Sequence, residues 1–197
     1  MLNPQQLQQL RKAIVFSDSL RGRTFQFRST WGLFSPRAID EGTRLLVDRL
    51  EIGQADDCLD LGCGYGPVGL VMAALAPKGQ TLLVDKDFVA VEYSNQNARL
   101  NGLTNARALL SNGFDQIPPD LCFDVIASNI PAKVGKELLS LYLHDARDRL
   151  RRDGRLYLVT INGLRQFIRR NLEEVFGDYD KLKQGRAYTV AMARKAR

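Results

Sequence analysis

The chain has 197 residues, 45% of them hydrophobic and 25% charged, which suits one ordinary globular domain with a substantial core. No apolar run approaches the ~20 residues that a bilayer-spanning helix needs. Met1-Leu2-Asn3-Pro4-Gln5-Gln6 lacks the basic-then-apolar layout of a secretory signal, so the expected location is cytoplasmic, with no membrane partner. The net charge of +6 is unevenly placed: residues 144–197 carry 14 Lys/Arg against 7 Asp/Glu, whereas residues 1–143 carry 14 against 15. A basic last quarter fits either a phosphate-rich partner or a solvated helix face with a basic tail. Cys58, Cys63 and Cys122 are odd in number and lack metal-ligand spacing, so they read as reduced thiols and no metal is expected. The lone His144, beside Asp145, reads as a surface or packing residue.

Leu7 and Leu10 give a short helical signal, with Ile14, Val15 and Phe16 just beyond. Thr24-Phe25-Gln26-Phe27-Arg28 alternates at strand period and is followed by Ser29-Thr30-Trp31-Gly32-Leu33-Phe34. Together they predict a hairpin with an aromatic-rich second arm. Trp31 and Phe34 suit core, lid or base-stacking roles. Asp40 can cap a helix that turns Leu46, Val47 and Leu50 inward and ends near Gly53.

From residue 55 onward, strand and helix alternate. The first strand ends at Leu61, and its helix closes at Pro77-Lys78-Gly79. A strand over 81–84 closes on Asp85, and a helix capped by Asp87 runs to about Leu100, with Asn101-Gly102 as its stop. Strands follow at 106–110 and 123–127. Leu138, Leu139, Tyr142, Leu143, Ala146 and Leu150 mark a long amphipathic helix. Asp153-Gly154 turns the chain into a strand over 156–159. A helix carrying Leu164, Phe167, Ile168, Leu172 and Val175 stops at Gly177, and strands at 179–182 and 188–193 close the chain. These units predict an α/β fold: a doubly wound, mostly parallel sheet with helices on both faces and an antiparallel C-terminal edge hairpin. Residues 1–54 are expected as a helix-and-hairpin lead-in packed on an α/β domain of residues 55–197, the two forming one structural unit.

The chemistry gathers at Asp60-Leu61-Gly62-Cys63-Gly64-Tyr65-Gly66-Pro67-Val68-Gly69. A strand ends here, Pro67 suits the first position of a helix, and the glycines between let a ligand approach the backbone. Gly64-x-Gly66-x-x-Gly69 satisfies the dinucleotide pattern. Asp60 argues against that ligand, because a carboxylate at the strand end repels a pyrophosphate and suits an ammonium group. S-adenosylmethionine (SAM) carries such a group, beside a sulfonium and a nucleoside. Asp-x-Gly-x-Gly-x-Gly resembles motif I of class I SAM-dependent methyltransferases, and the layout resembles their seven-stranded, Rossmann-like sheet.

Ligands of open α/β sheets bind at the carboxyl ends of strands. Asp85 follows its strand 19 residues after Gly66, close to the spacing of an acid that grips ribose hydroxyls; a capping or turn Asp is the alternative. Ser111-Asn112-Gly113-Phe114 stands where methyltransferases often present an Asp or Asn to the adenine amine. Phe114 either covers the adenine face or packs in the core. Through this resemblance the cofactor contacts fall on Asp60, Gly62, Cys63, Gly64, Gly66, Asp85, Lys86, Asn112, Gly113, Phe114 and Asn129.

Ser128-Asn129-Ile130-Pro131-Ala132 resembles the Asn-Pro-Pro-aromatic motif of amine methyltransferases, with Ile130 in place of the first proline and Ala132 in place of the aromatic. The resemblance implies that Asn129, Ile130 and Pro131 form the catalytic segment. An Asn oxygen and the next carbonyl accept the two N–H bonds of an exocyclic amine and hold its nitrogen in line with the methyl carbon. Thr24–Arg28, Gly32-Leu33-Phe34-Ser35, Asp40-Glu41-Gly42-Thr43, Gly135-Lys136-Glu137 and Gly154-Arg155-Leu156-Tyr157 extend the likeness to the "methyltransferase small" family, which includes ribosomal-RNA guanine-N2 methyltransferases. The expected function is SAM-dependent N-methylation of an RNA base, with Lys133, Lys136 and the basic C-terminal quarter meeting phosphates. The alternatives are a small-molecule or protein-side-chain methyltransferase, a non-catalytic SAM- or RNA-binding module, and a nicotinamide oxidoreductase.

Overall fold

The computed structural model describes residues 3–130 and 135–196. Helix α1 (Pro4–Leu10) opens with a capping box: the Asn3 side chain accepts from Gln6 N, and the Gln6 side chain accepts from Asn3 N. Strands β1 (Ile14–Leu20) and β2 (Arg23–Ser29) pair as an antiparallel hairpin, with Phe16 opposite Phe27. The turn between them, Arg21-Gly22, has positive φ at both residues, 51° and 77°, which matches the twist of the flanking strands.

The hairpin thus differs from the sequence expectation. The partner of residues 24–28 is the upstream segment, and residues 30–40 form an irregular connection. Asp18 explains the difference. It occupies an inward position of β1, where it interrupts the apolar alternation, and the Arg44 guanidinium satisfies it there. Helix α2 (Glu41–Val47) begins on the Asp40 cap as expected but stops well before Gly53. Arg21 Nη1 donates to Val47 O, the last carbonyl of the helix, at 2.9 Å and to Leu50 O just beyond it at 2.8 Å.

The strand–helix alternation then runs β3 (Cys58–Leu61), α3 (Pro67–Leu75), β4 (Thr81–Asp85), α4 (Phe88–Leu100), β5 (Ala106–Leu110), β6 (Phe123–Asn129), α5 (Lys136–Arg149), β7 (Leu150–Ile161), a 3₁₀ turn (Asn162–Leu164), α6 (Arg165–Phe176), β8 (Asp180–Gln184) and β9 (Tyr188–Arg194). One sheet takes the order β5-β4-β3-β6-β7-β9-β8. Pairing is parallel as far as β7; β9 runs antiparallel between β7 and β8. Asp153-Gly154 does not break β7. Asp153 instead adopts φ 61° within an irregularity that shifts the register between Phe123 and Val125.

Both faces of the sheet are buried, so successive strand residues enter different layers. Cys58, Val125, Ala127, Tyr157 and Val159 join the hairpin, α2, α3 and α4 in one core. Leu59, Ile126, Leu156 and Leu158 join α5 and α6 in the other. The hairpin is tied to α4 by two asparagines one turn apart. Asn97 accepts from Arg28 N at 2.7 Å and donates to Arg28 O at 2.9 Å, and Asn101 does the same for Gln26 at 2.9 and 2.7 Å. The exposed edge of β2 is thereby closed by side-chain amides. No helix of the described residues is long and apolar enough to cross a membrane.

Gly69, in the first turn of α3, sets the distance between that helix and the sheet. A Cβ there would lie 2.4 Å from Leu83 and 3.0 Å from Asp60 Oδ2. Leu83 is fully buried and has nowhere to move. Gly69→Ala is expected to destabilise the protein by about 1–3 kcal/mol, read as a lower midpoint in urea unfolding at unchanged slope.

Candidate active site

Between β3 and α3 the chain reverses over Gly62, Gly64 and Gly66, at φ 76°, 56° and 96°. These three glycines are not equivalent. A Cβ at Gly62 or Gly64 would meet nothing within 4 Å, so both border open space. One at Gly66 would meet Ser94 Oγ at 3.0 Å and Leu83 Cδ2 at 3.3 Å. Gly62 and Gly64 therefore leave room for a ligand, while Gly66 permits α3 and α4 to close together. Pro67 takes the first position of α3 as the sequence predicts.

Asp60 is 1% exposed, and its Oδ2 accepts from Gly69 N at 2.7 Å. Burial pushes its carboxyl up to about 7; the Gly69 bond lowers it and the Asp85 charge raises it. Cys63 faces inward, its Sγ 3.5 Å from Ser94 Oγ, and burial holds its thiol well above the ordinary range. Such a thiol stays protonated and is a poor nucleophile. Ser94 Oγ donates to Gly64 O at 2.8 Å.

Asp85 ends β4 with both oxygens fixed. Oδ2 accepts from Gly64 N and Oδ1 from Asp87 N, each at 2.9 Å. Each oxygen keeps a lone pair for a further donor. Lys86 is exposed beside it. At the end of β5, Ser111 and Gly113 reach the cavity wall, whereas Asn112 and Phe114 do not. The Asn112 side chain is exposed and donates to Asp115 Oδ2 at 3.2 Å. Phe114 is packed in the core that α5 and α6 cover. Tyr142 of α5 provides the ring at this end: it lines the cavity and lies so close to Gly113 that a Cβ there would sit 2.4 Å from its Cε1.

Asn129 ends β6. Its Nδ2 donates to Asp40 Oδ2 at 3.2 Å and to Thr43 Oγ1 at 3.0 Å. Asp40 Oδ2 also accepts from Thr43 N at 3.1 Å, and Oδ1 accepts from the Tyr188 hydroxyl at 3.0 Å. Gly42 makes this possible, since a Cβ there would meet the Tyr188 ring at 2.8 Å. Asn129 Oδ1 makes no hydrogen bond among the described residues, and the residue lines the cavity. Ile130 continues the β6–β7 ladder through its amide to Val159 O at 3.0 Å. Pro131, with Ala132 and Lys133, lies outside the described residues.

Of these groups, Asp60, Gly62, Cys63, Gly64, Asp85, Lys86, Ser111, Gly113, Asn129, Ile130 and Tyr142 border one cavity of about 580 Å³, within the roughly 300–1,000 Å³ range of small-ligand sites. The glycine turn, Asp85, Ser111, Gly113 and Tyr142 form one part of its wall, and Asn129, Asp40, Thr43, Tyr188 and Ile161 another; residues 32–35 line it too, with Ser35 O bonded to the Tyr65 hydroxyl. The sequence reading missed the roles of Thr43, Tyr142 and Tyr188. Asp40-Glu41-Gly42-Thr43 was the available signal, but its link to Asn129 spans 89 residues and is invisible in local pattern.

The methyltransferase small domain model matches residues 24–192. The chain belongs to that family. Membership makes SAM the cofactor and methyl transfer the reaction class, which removes the nicotinamide alternative. The structure supports the fit: Gly62 and Gly64 open onto the cavity, and the buried Asp60 carboxylate borders it. The chain is 33% identical to Bacillus subtilis YbxB over 184 residues, 92% of this chain and 91% of that one. It is 29% identical to ribosomal RNA small subunit methyltransferase C of Hamiltonella defensa, covering 93% of this chain and 56% of the relative. The Thermus thermophilus 16S rRNA N2 G1207 methyltransferase (RsmC), solved with AdoMet and guanosine, superposes with TM-score 0.85 at 28% identity, over 93% of this chain and 50% of that one. This chain thus spans about half the length of these two rRNA methyltransferases and nearly all of YbxB.

The raised Asp60 carboxyl links stability to pH. Its folded value of about 7 exceeds the ordinary 3.8, so the folded state binds the proton more tightly than the unfolded chain. The stability it contributes is complete below about pH 4 and is lost as pH rises through 7. Asp60→Asn keeps an acceptor for Gly69 N and removes the titration. Unfolding in denaturant at about pH 5 and pH 8 is expected to show a smaller loss of stability at the higher pH in Asp60→Asn than in the unsubstituted protein.

Proposed function

We propose that this family member is an N-methyltransferase whose target is an exocyclic amine of an RNA base, of the guanine-N2 kind in ribosomal RNA. The observation that carries the reading is the fixed amide of Asn129. Its two N–H bonds are spent on Asp40 and Thr43, so its oxygen is held as an acceptor at the cavity wall. Such an acceptor suits an N–H of an amine whose lone pair is delocalised into a ring. It orients that nitrogen and favours the more tetrahedral form in which the lone pair is available.

Asp60 faces the cofactor's ammonium, Asp85 takes its ribose hydroxyls, and Gly62 and Gly64 admit it to the backbone. Ser111, Gly113 and Tyr142 surround the adenine, the role first expected of Asn112 and Phe114. The cofactor supplies a methyl group activated by its sulfonium. The relatives' names support an RNA target, since they are methyltransferases of small-subunit rRNA and of 16S rRNA at N2 of a guanine. Charge supports it too: exposed Arg165, Arg169 and Lys181 border a second hollow beside α6 and β8. The α6 end of that hollow follows β7, whose last residue, Ile161, lines the cavity.

Methyl transfer from labelled SAM to unmodified ribosomal RNA tests this reading. Asn129→Ala is expected to lower kcat about 10²-fold or more, with a much smaller loss of SAM affinity. Asp40→Ala frees the Asn129 amide to rotate and is expected to lower kcat by about tenfold with a smaller change in KM. RNA retention should weaken steeply with added salt. Transfer to a metabolite that is indifferent to salt, with none to any RNA, would select the small-molecule alternative.

A further inference from the structure

Ala132 leaves the Asn129 segment without the ring that the related motif carries, yet the cavity that Asn129 lines has an exposed ring elsewhere in its wall. Phe34 lines the cavity and is 63% exposed, so core packing does not account for it. A single exposed phenylalanine is ordinary on a protein surface. This one sits on a constructed support. Its neighbour Leu33 is anchored in the core, and Ser35 adopts φ 44°, a left-handed conformation that costs energy for a residue with a Cβ. Ser35 Oγ donates to Ala38 O at 2.7 Å, and the Tyr65 hydroxyl reaches Ser35 O at 3.1 Å and Ala38 O at 3.3 Å. Tyr65 belongs to the glycine turn, so the loop that carries Phe34 is fastened to the cofactor end. Asp40, farther along the same loop, is bonded to Asn129. Trp31, the other exposed ring of this segment, is covered by the Arg37 guanidinium at 4.5 Å and does not line the cavity.

We propose that Phe34 is the stacking face for the target base, supplying from the connection between β2 and α2 the ring that Ala132 lacks. This rests on the reading of the target as a nucleobase. An aromatic face suits a purine because stacking needs area and a π-surface and is indifferent to the base edge, which stays free for Asn129. Removing it should weaken binding of the base while leaving the cofactor untouched.

The test compares Phe34→Ala, Phe34→Leu and Phe34→Tyr in the full chain by binding of guanosine monophosphate and of a single-stranded RNA with unmethylated guanines. S-adenosylhomocysteine is present throughout, and SAM affinity and kinetics are measured alongside. Phe34→Ala and Phe34→Leu are expected to weaken nucleotide binding, and to raise KM for RNA, by roughly 5- to 150-fold. Phe34→Tyr should restore both, and SAM affinity and the melting temperature should be unchanged in all three. Leucine serving as well as phenylalanine, or a loss confined to SAM affinity, would overturn the stack in favour of an apolar lid. Failure of the parent reading looks different: no methyl transfer by the unsubstituted protein, with nucleotide binding still dependent on the ring at position 34, removes the reaction and keeps the stack.

Discussion

The bond from the Gly69 amide to the buried Asp60 carboxylate joins the end of β3 to the first turn of α3. Only a residue without a Cβ brings that amide close enough, given Leu83 beneath it. Once the helix is so near the strand, the chain between must reverse within a few residues, and the left-handed glycines are the consequence. The turn is then fastened on its other sides. Gly64 N is bound to Asp85, Gly64 O to Ser94, and Tyr65 O to Asn97. A ligand therefore meets a wall whose shape is already set, and little ordering is left to oppose binding.

Asp40 is the corresponding hub at the other end of the cavity. It caps α2, orients the Asn129 amide at the end of β6, and accepts the Tyr188 hydroxyl at the start of β9. The antiparallel direction of β9 is what allows this. Its first residue lies at the same sheet end as the last residues of the parallel strands, where Ile161 of β7 pairs with Tyr188. The closing hairpin thus contributes to the site as well as to the edge of the sheet.

The parallel core and its turns were legible in sequence because their signals are local. Pro67 after the glycines, Asp87 as a cap and Gly177 as a stop each act within a few residues, and each stands where the pattern places it. The hairpin was misread because Asp18 interrupts the apolar alternation and Arg21-Gly22 is an unusual turn pair. Asn112 and Phe114 fall on the expected turn, but the side chains that reach the cavity there depend on the backbone at Gly113 and on α5 packing over it. The Asp40–Asn129–Tyr188 network joins residues from three distant parts of the chain, and no periodicity encodes such a contact.

This difference follows the division of the cavity. The part of the wall around the glycine turn comes from successive strand ends between residues 60 and 113, with Tyr142 added by α5, so one stretch of chain fixes most of it. The rest of the wall is assembled from residues 32–35, Asp40 and Thr43, the end of β6, the end of β7 and the start of β9. Segments that meet only in the folded molecule can change independently, so a ring missing from one can be supplied by another without disturbing the cofactor contacts. For that reason the cofactor is read from a motif, whereas the target has to be read from the geometry of the wall opposite it.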